Sequence, residues 1–358
     1  MPMPAASRTW MLYGATGYTG RLVAELAAAR GLRPILAGRS PAVMLLADRL
    51  GLPGRVVDLR DPTTLRAAVA DCRVVAHCAG PFSATSRPMI DACLAASAHY
   101  VDITGEIEVF EAARHRDAEA RSARVVLCPG VGFDVIPTDC IAATLAEALP
   151  AATHLALGFE TSGGMSAGTA RTALEALPRG GRVRRDGRLV TAPLGAVARM
   201  VDFGRGPKHA VAIPWGDVST AFATTGIPNI EVYVPIPRAA AAAVRAFDPA
   251  RRIVGVAILQ RMLRWAAGWI AGPEREARDA SPTWVWGEAR DAAGRFAVAR
   301  VRTANVYDVT ASGVLLAVEC LLDRNAPGGF VTPARLLGPR CVESLAGSGR
   351  IEIEVRGP

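Results

Sequence analysis

Through the first part of the chain, short apolar runs alternate with longer stretches in which apolar residues recur every three or four positions. Residues 10–13 (WMLY) form the first run, and 21–31 (RLVAELAAARG) form an amphipathic stretch closed by a glycine. The rhythm repeats at 33–40 (RPILAGRS), 55–69 (RVVDLRDPTTLRAAV) and 73–82 (RVVAHCAGPF). Runs of this length predict buried strands, and the periodic stretches between them predict helices. Strands and helices in strict alternation imply an α/β fold, a Rossmann-type doubly wound parallel sheet.

Beyond 129–150 (PGVGFDVIPTDCIAATLAEALP) the pattern changes. Strands are predicted at 153–159, 187–193, 196–204 and 229–237, with a hairpin turn at Asp186–Gly187 and a second hairpin across Ala293–Gly294. This run suggests a second, mixed α+β domain. The stretch 253–272 (IVGVAILQRMLRWAAGWIAG) is apolar over a membrane-span length, but Arg261 and Arg264 sit near its middle. Each would be costly at a bilayer centre. Gln260, Arg261, Arg264 and Gly268 share one stripe of a helical wheel, so the first reading is a helix covering the core or a subunit interface. A lid over an acyl chain, or a helix in peripheral contact with a membrane surface, is the second.

Composition narrows the class. With 51% hydrophobic and 21% charged residues over 358 positions, the chain is globular and long enough for two domains. The net charge of +8 would allow an acidic partner, but Lys208 is the only lysine and the arginines are scattered. No basic run is interleaved with aromatics, so nucleic acid is not an expected partner. The cysteines Cys72, Cys78, Cys93, Cys128, Cys140, Cys320 and Cys341 contain no CxxC pair, and the five histidines are dispersed. They read as reduced, buried thiols of a cytoplasmic protein, with no metal site.

The chemistry begins at GATGYTG (14–20), where Gly14, Gly17 and Gly20 interrupt a strand about to become a helix. In that setting Gly14 permits a tight turn, Gly17 lets a pyrophosphate approach the backbone, and Gly20 lets the helix pack closely. Thr16 and Tyr18 belong to the same turn. An NAD enzyme tends to carry an acidic residue after the second strand. Here that strand ends in Gly38, Arg39 and Ser40, a guanidinium and a hydroxyl suited to a 2′-phosphate, so the expected cofactor is NADP. Asp58 follows the third strand, placed either to meet the adenine or to open the next helix. Ala79, Gly80, Pro81 and Phe82 follow the fourth, where small residues let the backbone lie under the nicotinamide ribose.

With these, the segments YVDITGE (100–106) and PGVGFDVIPTD (129–139) resemble the saccharopine dehydrogenase-like NADP oxidoreductases. Within that group, SGGMSAGTARTALE (162–175), PWGDVSTAFATTGIPNIEVY (214–233) and PGGFVTPARLLG (327–338) are most similar to the bacterial trans-acting enoyl reductase branch. The resemblance implies a discontinuous cofactor domain, 1–140 and 306–358, with the apolar helix 308–324 packing back on it. The segment 141–305 is then an inserted substrate and dimerisation domain. Short-chain reductases also use GxxGxxG, but their Tyr four residues before Lys is missing, since Gly204 stands there before Lys208.

The substrate is expected near Gly132, Phe133 and Asp134, whose loop follows a later strand, and near the hydroxyl-rich Ser162, Gly163, Gly164, Ser166 and Thr169. Those five equally fit an ordinary helix cap. Ser166, Lys208 and Tyr233 are the candidate catalytic groups; water could instead protonate an enolate. The expected activity is NADP(H)-dependent reduction of an enoyl C=C in a mostly apolar small molecule, carrier-bound in one version, by a homodimer. An imine or carbonyl reductase, and a non-catalytic NADP-binding sensor or lipid-associated protein, are the alternatives.

Overall fold

The structure, a computed structural model, describes residues 8–163, 167, 174, 175, 177–254, 256, 261–263, 265, 266, 269, 272–324 and 326–357. The chain divides into two compact units. The first comprises Met1–Thr104, Glu108–Asp134 and Tyr307–Leu337; the second comprises Gly105–Ile107, Val135–Val306 and Gly338–Pro358.

In the first unit the short apolar runs become β1 (Trp10–Tyr13), β2 (Ile35–Gly38), β3 (Gly54–Val56), β4 (Val74–His77), β5 (His99–Asp102) and β6 (Val126–Cys128). A last short strand, β15 (Gly329–Phe330), comes from the C-terminal part of the chain. The sheet order is β15-β6-β5-β4-β1-β2-β3, and every pairing is parallel. β1, β2, β4 and β5 are buried at all four positions, so apolar residues serve both faces and do not alternate with polar ones, the exceptions being the buried His77, His99 and Asp102. The helices along this part of the chain are α1 (Tyr18–Ala29), α2 (Ala42–Leu50), α3 (Pro62–Val69), α4 (Phe82–Ala96), α5 (Ile107–His115) and α6 (Asp117–Ala123). Met11, Tyr13, Val75, Tyr100 and Leu127 belong to one continuous core on one face of this sheet. The strand order reverses between β1 and β4, and such a switch point opens a crevice outside the carboxyl ends of the strands.

The helix Val306–Asp323 belongs to this unit from Tyr307 onward, with twelve buried residues. The segment after it behaves differently. The expected first domain takes in all of 306–358, but β16 (Glu352–Arg356) pairs antiparallel with β14 (Phe296–Thr303), so Gly338–Pro358 joins the second unit. Its EIEVR pattern fits an edge strand and carries no label for which edge it will complete. The first boundary also moves, because Val135 onward, including the helix α7 (Ile136–Ala148), lies in the second unit.

The second unit is built on a mixed nine-stranded sheet following the path β10-β11-β12-β7-β13-β14-β16, with β8 pairing β12 and β9. Here β7 is Ala152–Thr161, β8 Gly181–Arg185, β9 Arg188–Ala192, β10 Ala198–Asp202, β11 Pro207–Ala212, β12 Asn229–Pro235 and β13 Thr283–Asp291. Both expected hairpins form, β8–β9 across Asp186–Gly187 and β13–β14 across 292–295. β8 and β11 are additions to the expected strands, because arginine-rich GRVRR and the glycine-flanked PKHAVA carry weak strand patterns. α7 packs on one sheet face at Gly287, where a Cβ would run into Ile141 and would stand 2.9 Å from Leu145. The reading of 253–272 falls largely outside the described residues.

Candidate functional site

The residues singled out for a cofactor lie on the loops that follow β1 to β4, at the carboxyl edge of the first unit's sheet. Gly14 takes a left-handed φ of +86° that an L side chain rarely adopts. A Cβ there would stand 2.8 Å from the Ala79 nitrogen and from the Cys78 carbonyl carbon. Gly20 would drive a Cβ into the Gly14 carbonyl oxygen, so the first turn of α1 rests directly on the glycine turn. At Gly17 the nearest atom to an added Cβ is the Gly14 oxygen at 3.3 Å, and the residue is exposed. Gly17 is the N-cap of α1; the helix has no side-chain cap and no acidic residue in its first turn. An uncapped, exposed helix start offers backbone N–H donors and the positive end of the helix dipole to an anion. Thr16 and Tyr18 are half-buried beside it, and the Tyr18 ring meets Tyr307 edge-on at 4.8 Å.

Arg39 and Ser40 directly follow β2 and are exposed. The Ser40 Oγ accepts from the Ala42 N–H at 3.3 Å, opening α2. The Arg39 guanidinium forms no ion pair among the described residues, although its charge is felt at Asp58. Asp58 itself is gripped by Arg60, at 2.7 Å to Nη2, and is held down at about 2, chiefly by that hydrogen bond. It therefore stays ionised at any working pH, and its side chain is already engaged.

Behind the turn at Cys78–Phe82 lies a polar junction that no local sequence pattern marks. The Thr85 Oγ1 stands 2.7 Å from the Ala79 carbonyl oxygen, 3.0 Å from that of Pro81 and 3.0 Å from His77 Nε2. A hydroxyl has one hydrogen, and both carbonyls accept only, so Thr85 donates to them and accepts from His77 Nε2–H. That fixes the imidazole tautomer. His77 is fully buried, with its ring against Phe82 and Tyr13, and burial pushes it down to about 3, so it stays neutral. The junction ties β4 and the first turn of α4 to the two carbonyls that shape the 78–82 loop.

A second junction lies beside it. Asp102 ends β5, is 1% exposed, and accepts from the Tyr100 hydroxyl at 2.6 Å and from the Thr104 and Gly130 N–H groups at 2.9 Å each. The Val131 N–H donates to its backbone carbonyl at 2.7 Å. Desolvation pushes the carboxyl up to about 6 against the lowering effect of these bonds. The loop it holds, 129–134, contains the predicted Gly132, Phe133 and Asp134. The Phe133 N–H donates to Thr310 Oγ1 at 2.9 Å, and a Cβ on Gly132 would meet the same threonine at 2.9 Å. Asp134 is partly accessible yet closely surrounded, and desolvation pushes it up to about 7.

The remaining predicted residues belong to the second unit. Ser162 and Gly163 follow β7, and the Gly163 N–H donates to Thr161 Oγ1 at 3.2 Å. Gly164, Ser166 and Thr169 lie outside the described residues. Lys208, on β11, donates to Glu160 Oε1 at 2.5 Å, and Arg205 reaches the same oxygen at 3.3 Å. The Tyr233 hydroxyl, on β12, donates to Glu231, and burial raises its acid range far above a free phenol's. Both side chains are therefore committed to carboxylates of the second sheet. Among the described residues no cluster of three metal-binding side chains occurs.

Two substitutions check this geometry. Thr85→Val removes the partner of the buried His77 N–H and a donor to the Ala79 carbonyl, and it should destabilise the protein by about 1–3 kcal/mol. Thr85→Ser, which keeps the hydroxyl, should recover most of that in urea unfolding. Asp102 ionises less readily folded than unfolded, so its contribution is fully present below its ordinary value of 3.8 and is lost as pH rises through about 6. The stability cost of Asp102→Asn should consequently shrink by about 2–3 kcal/mol between pH 4 and pH 7, measured by unfolding at both.

Residues 10–128 match the family model described as the saccharopine dehydrogenase NADP binding domain. A trans-acting enoyl reductase from Mycobacterium tuberculosis (strain ATCC 25618 / H37Rv) is 36% identical over 140 residues, covering 36% of this chain and 33% of the relative. One from Mycobacterium ulcerans is 35% identical over 150 residues, 38% of this chain and 35% of the relative. These matches span about a third of the relatives' length. Apo saccharopine dehydrogenase (L-Glu forming) from Saccharomyces cerevisiae superposes with a TM-score of 0.67 at 14% identity, covering 98% of this chain and 100% of that one, and so shares the fold. The glycine turn and the loops after β2 to β4 all lie within residues 10–128, the stretch that matches the NADP binding domain of saccharopine dehydrogenase.

Proposed function

We propose that the protein is an NADPH-dependent oxidoreductase that reduces a conjugated C=C bond in a mostly apolar, carrier-bound acceptor. The observation that carries the cofactor reading is the Arg39–Ser40 pair after β2, exposed and without an acidic residue where an NAD enzyme would hold a ribose hydroxyl. The acceptor reading is supported by the relatives named trans-acting enoyl reductase, which match over 36–38% of this chain. Bound NADPH supplies a hydride; everything else falls to the chain. The 14–20 turn and the start of α1 hold the pyrophosphate, and Arg39 and Ser40 hold the 2′-phosphate. The 78–82 loop, braced by Thr85 and His77, supports the nicotinamide ribose. Gly132, Phe133 and Asp134, braced by Asp102 and Thr310, bound the acceptor.

Proton delivery in this reading comes from water, because Lys208 and Tyr233 are engaged by Glu160 and Glu231. Ser162, Gly163, Gly164, Ser166 and Thr169 are assigned to binding the acceptor's carbonyl oxygen. Hydride transfer would then depend on positioning and on hydrogen bonds to the developing oxyanion. Cytoplasmic location and a homodimer complete the proposal.

Following NADPH oxidation with a trans-2-enoyl thioester, and separately with a keto acid plus an amine, tests the acceptor. Turnover with the thioester alone is expected, and turnover with the imine-forming pair alone would replace this reading with the amino-acid one. A bidentate guanidinium–phosphate contact is worth about 1.5–3 kcal/mol, so Arg39→Asp should remove about one to two decades of the preference for NADPH over NADH in a calorimetric titration. Ser166→Ala should lower turnover more than it weakens NADPH binding, as steady-state kinetics beside a cofactor titration would reveal.

A further inference from the structure

Cys140 and Cys341 stand 201 residues apart along the chain, yet their sulfurs meet at 3.4 Å inside the second unit. Both are free thiols. Their meeting follows from the way α7 lies against the short 3-10 turn Cys341–Ser344. Cys140 and Thr144 are four residues apart on α7, so they share one face of that helix. Thr144 Oγ1 bonds to the Cys140 carbonyl at 2.8 Å and reaches the Pro339 carbonyl at 3.5 Å. The Val342 N–H donates to the Cys140 sulfur. Backbone contacts on either side of Cys341 thus hold the two sulfurs in register. Cys140 is fully buried, and Cys341 is 8% exposed.

We propose that Cys140 and Cys341 form a reversible oxidation site, closed to a disulfide by a hydroperoxide and reopened by a dithiol reductant. A disulfide needs the sulfurs to close by about 1.4 Å, to a bond of about 2.05 Å, a movement within reach of side-chain rotation and a small shift of the 3-10 turn. Cys341 keeps the accessible surface and reacts first. Its sulfur takes one peroxide oxygen to become a sulfenic acid, and the rest of the peroxide leaves as an alcohol or water. The Cys140 sulfur then bonds to the Cys341 sulfur. The S–O bond breaks, and the hydroxyl departs with the Cys140 proton as water. Two thiols lose two electrons and two hydrogens, and one peroxide is reduced. The hydrogen bond to Cys341, with burial, holds the Cys140 thiol well above its usual range, so Cys140 stays protonated and suits the resolving role. The bridge would fasten Gly338–Pro358, the segment that supplies β16, to α7. A closed loop of that length also restricts the unfolded chain strongly. The inference is independent of the catalytic reading, and its test requires no turnover.

The full chain would be reduced, freed of reductant, treated with hydrogen peroxide and then unfolded for thiol counting. The count should fall from seven to five, the two bridged thiols being lost. The intact mass should drop by about 2 Da, and an unreduced digest should yield peptides joined through Cys140 and Cys341. The thermal midpoint of the oxidised protein should lie about 5–10 °C above that of the reduced one. Dithiothreitol should reverse every one of these changes. Cys140→Ala should prevent the bridge and leave Cys341 as a sulfenic acid that dimedone captures. Cys341→Ala, at the rim of the contact and so the milder change to the core, should abolish both the bridge and the captured acid. No bridge in the unsubstituted protein, a bridge through other cysteines, or an oxidised midpoint no higher than the reduced one would overturn the proposal.

Discussion

The first unit depends on one close approach of backbone to backbone. At Gly14 the chain leaves β1, turns through a left-handed φ, and lies against the backbone of Cys78 and Ala79 with no room for a Cβ. The same few atoms are shared by several elements. The Gly14 and Ala15 N–H groups donate to the Ala37 carbonyl of β2 at 2.8 and 3.2 Å, the Cys78 N–H donates to Tyr13 at 2.8 Å, and the Gly14 carbonyl receives both the Gly17 N–H and the weight of Gly20. Three strand ends and one helix start are thus locked together at the switch point. A side chain at Gly14 or Gly20 would push apart the crevice that the parallel sheet opens there.

Around that point the protein buries polar groups that it must then satisfy. Burying a hydroxyl, an imidazole or a carboxyl is costly unless each finds a partner. Thr85 with the Nε2 side of His77, and Asp102 with Tyr100, meet the requirement by bonding to the loops themselves, while His77 Nδ1 has no partner among the described residues. The result is that the 78–82 and 129–134 loops are held by side chains rooted in the rigid sheet. The titratable members respond in opposite senses: burial keeps His77 neutral down to about 3, while it raises Asp102 to about 6. Their pH demands oppose one another over the acid range.

The second unit solves a different problem. One face of its sheet takes aliphatic side chains against α7, and Gly287 brings that helix close to β13. The opposite face carries Trp284, Trp286, Tyr233 and Phe203 beneath arginines and glutamates, with Arg205 stacked 4.5 Å from the Trp284 ring centre and Arg199 bonded to both Glu288 oxygens. Side chains of this kind tolerate exchange, because long arginines shield apolar area whichever aromatic lies under them. That latitude is consistent with a yeast enzyme sharing the fold at 14% identity.

Local pattern alone determined much of the first unit. Continuous apolar runs of strand length, glycines three apart before an amphipathic stretch, and an arginine in place of an acid after β2 are properties of neighbouring residues. Burial on both faces of a parallel sheet writes itself directly into such runs. The β13–β14 hairpin is legible for the same reason, since its turn and its alternation are local. What the sequence leaves open is set by contacts between distant residues. His77 and Asp102 read as ordinary strand residues; a polar side chain ending each of two adjoining buried strands is the available signal. Thr85 reads as one more helical residue until the backbone brings two carbonyls and an imidazole around its hydroxyl. β16 shows the limit most plainly: its alternation announces a strand, but nothing in its own residues points to β14, and the unit expected for it is the wrong one. A strand's period is fixed by its own residues, whereas its partner is fixed by whichever sheet edge the rest of the chain leaves unpaired.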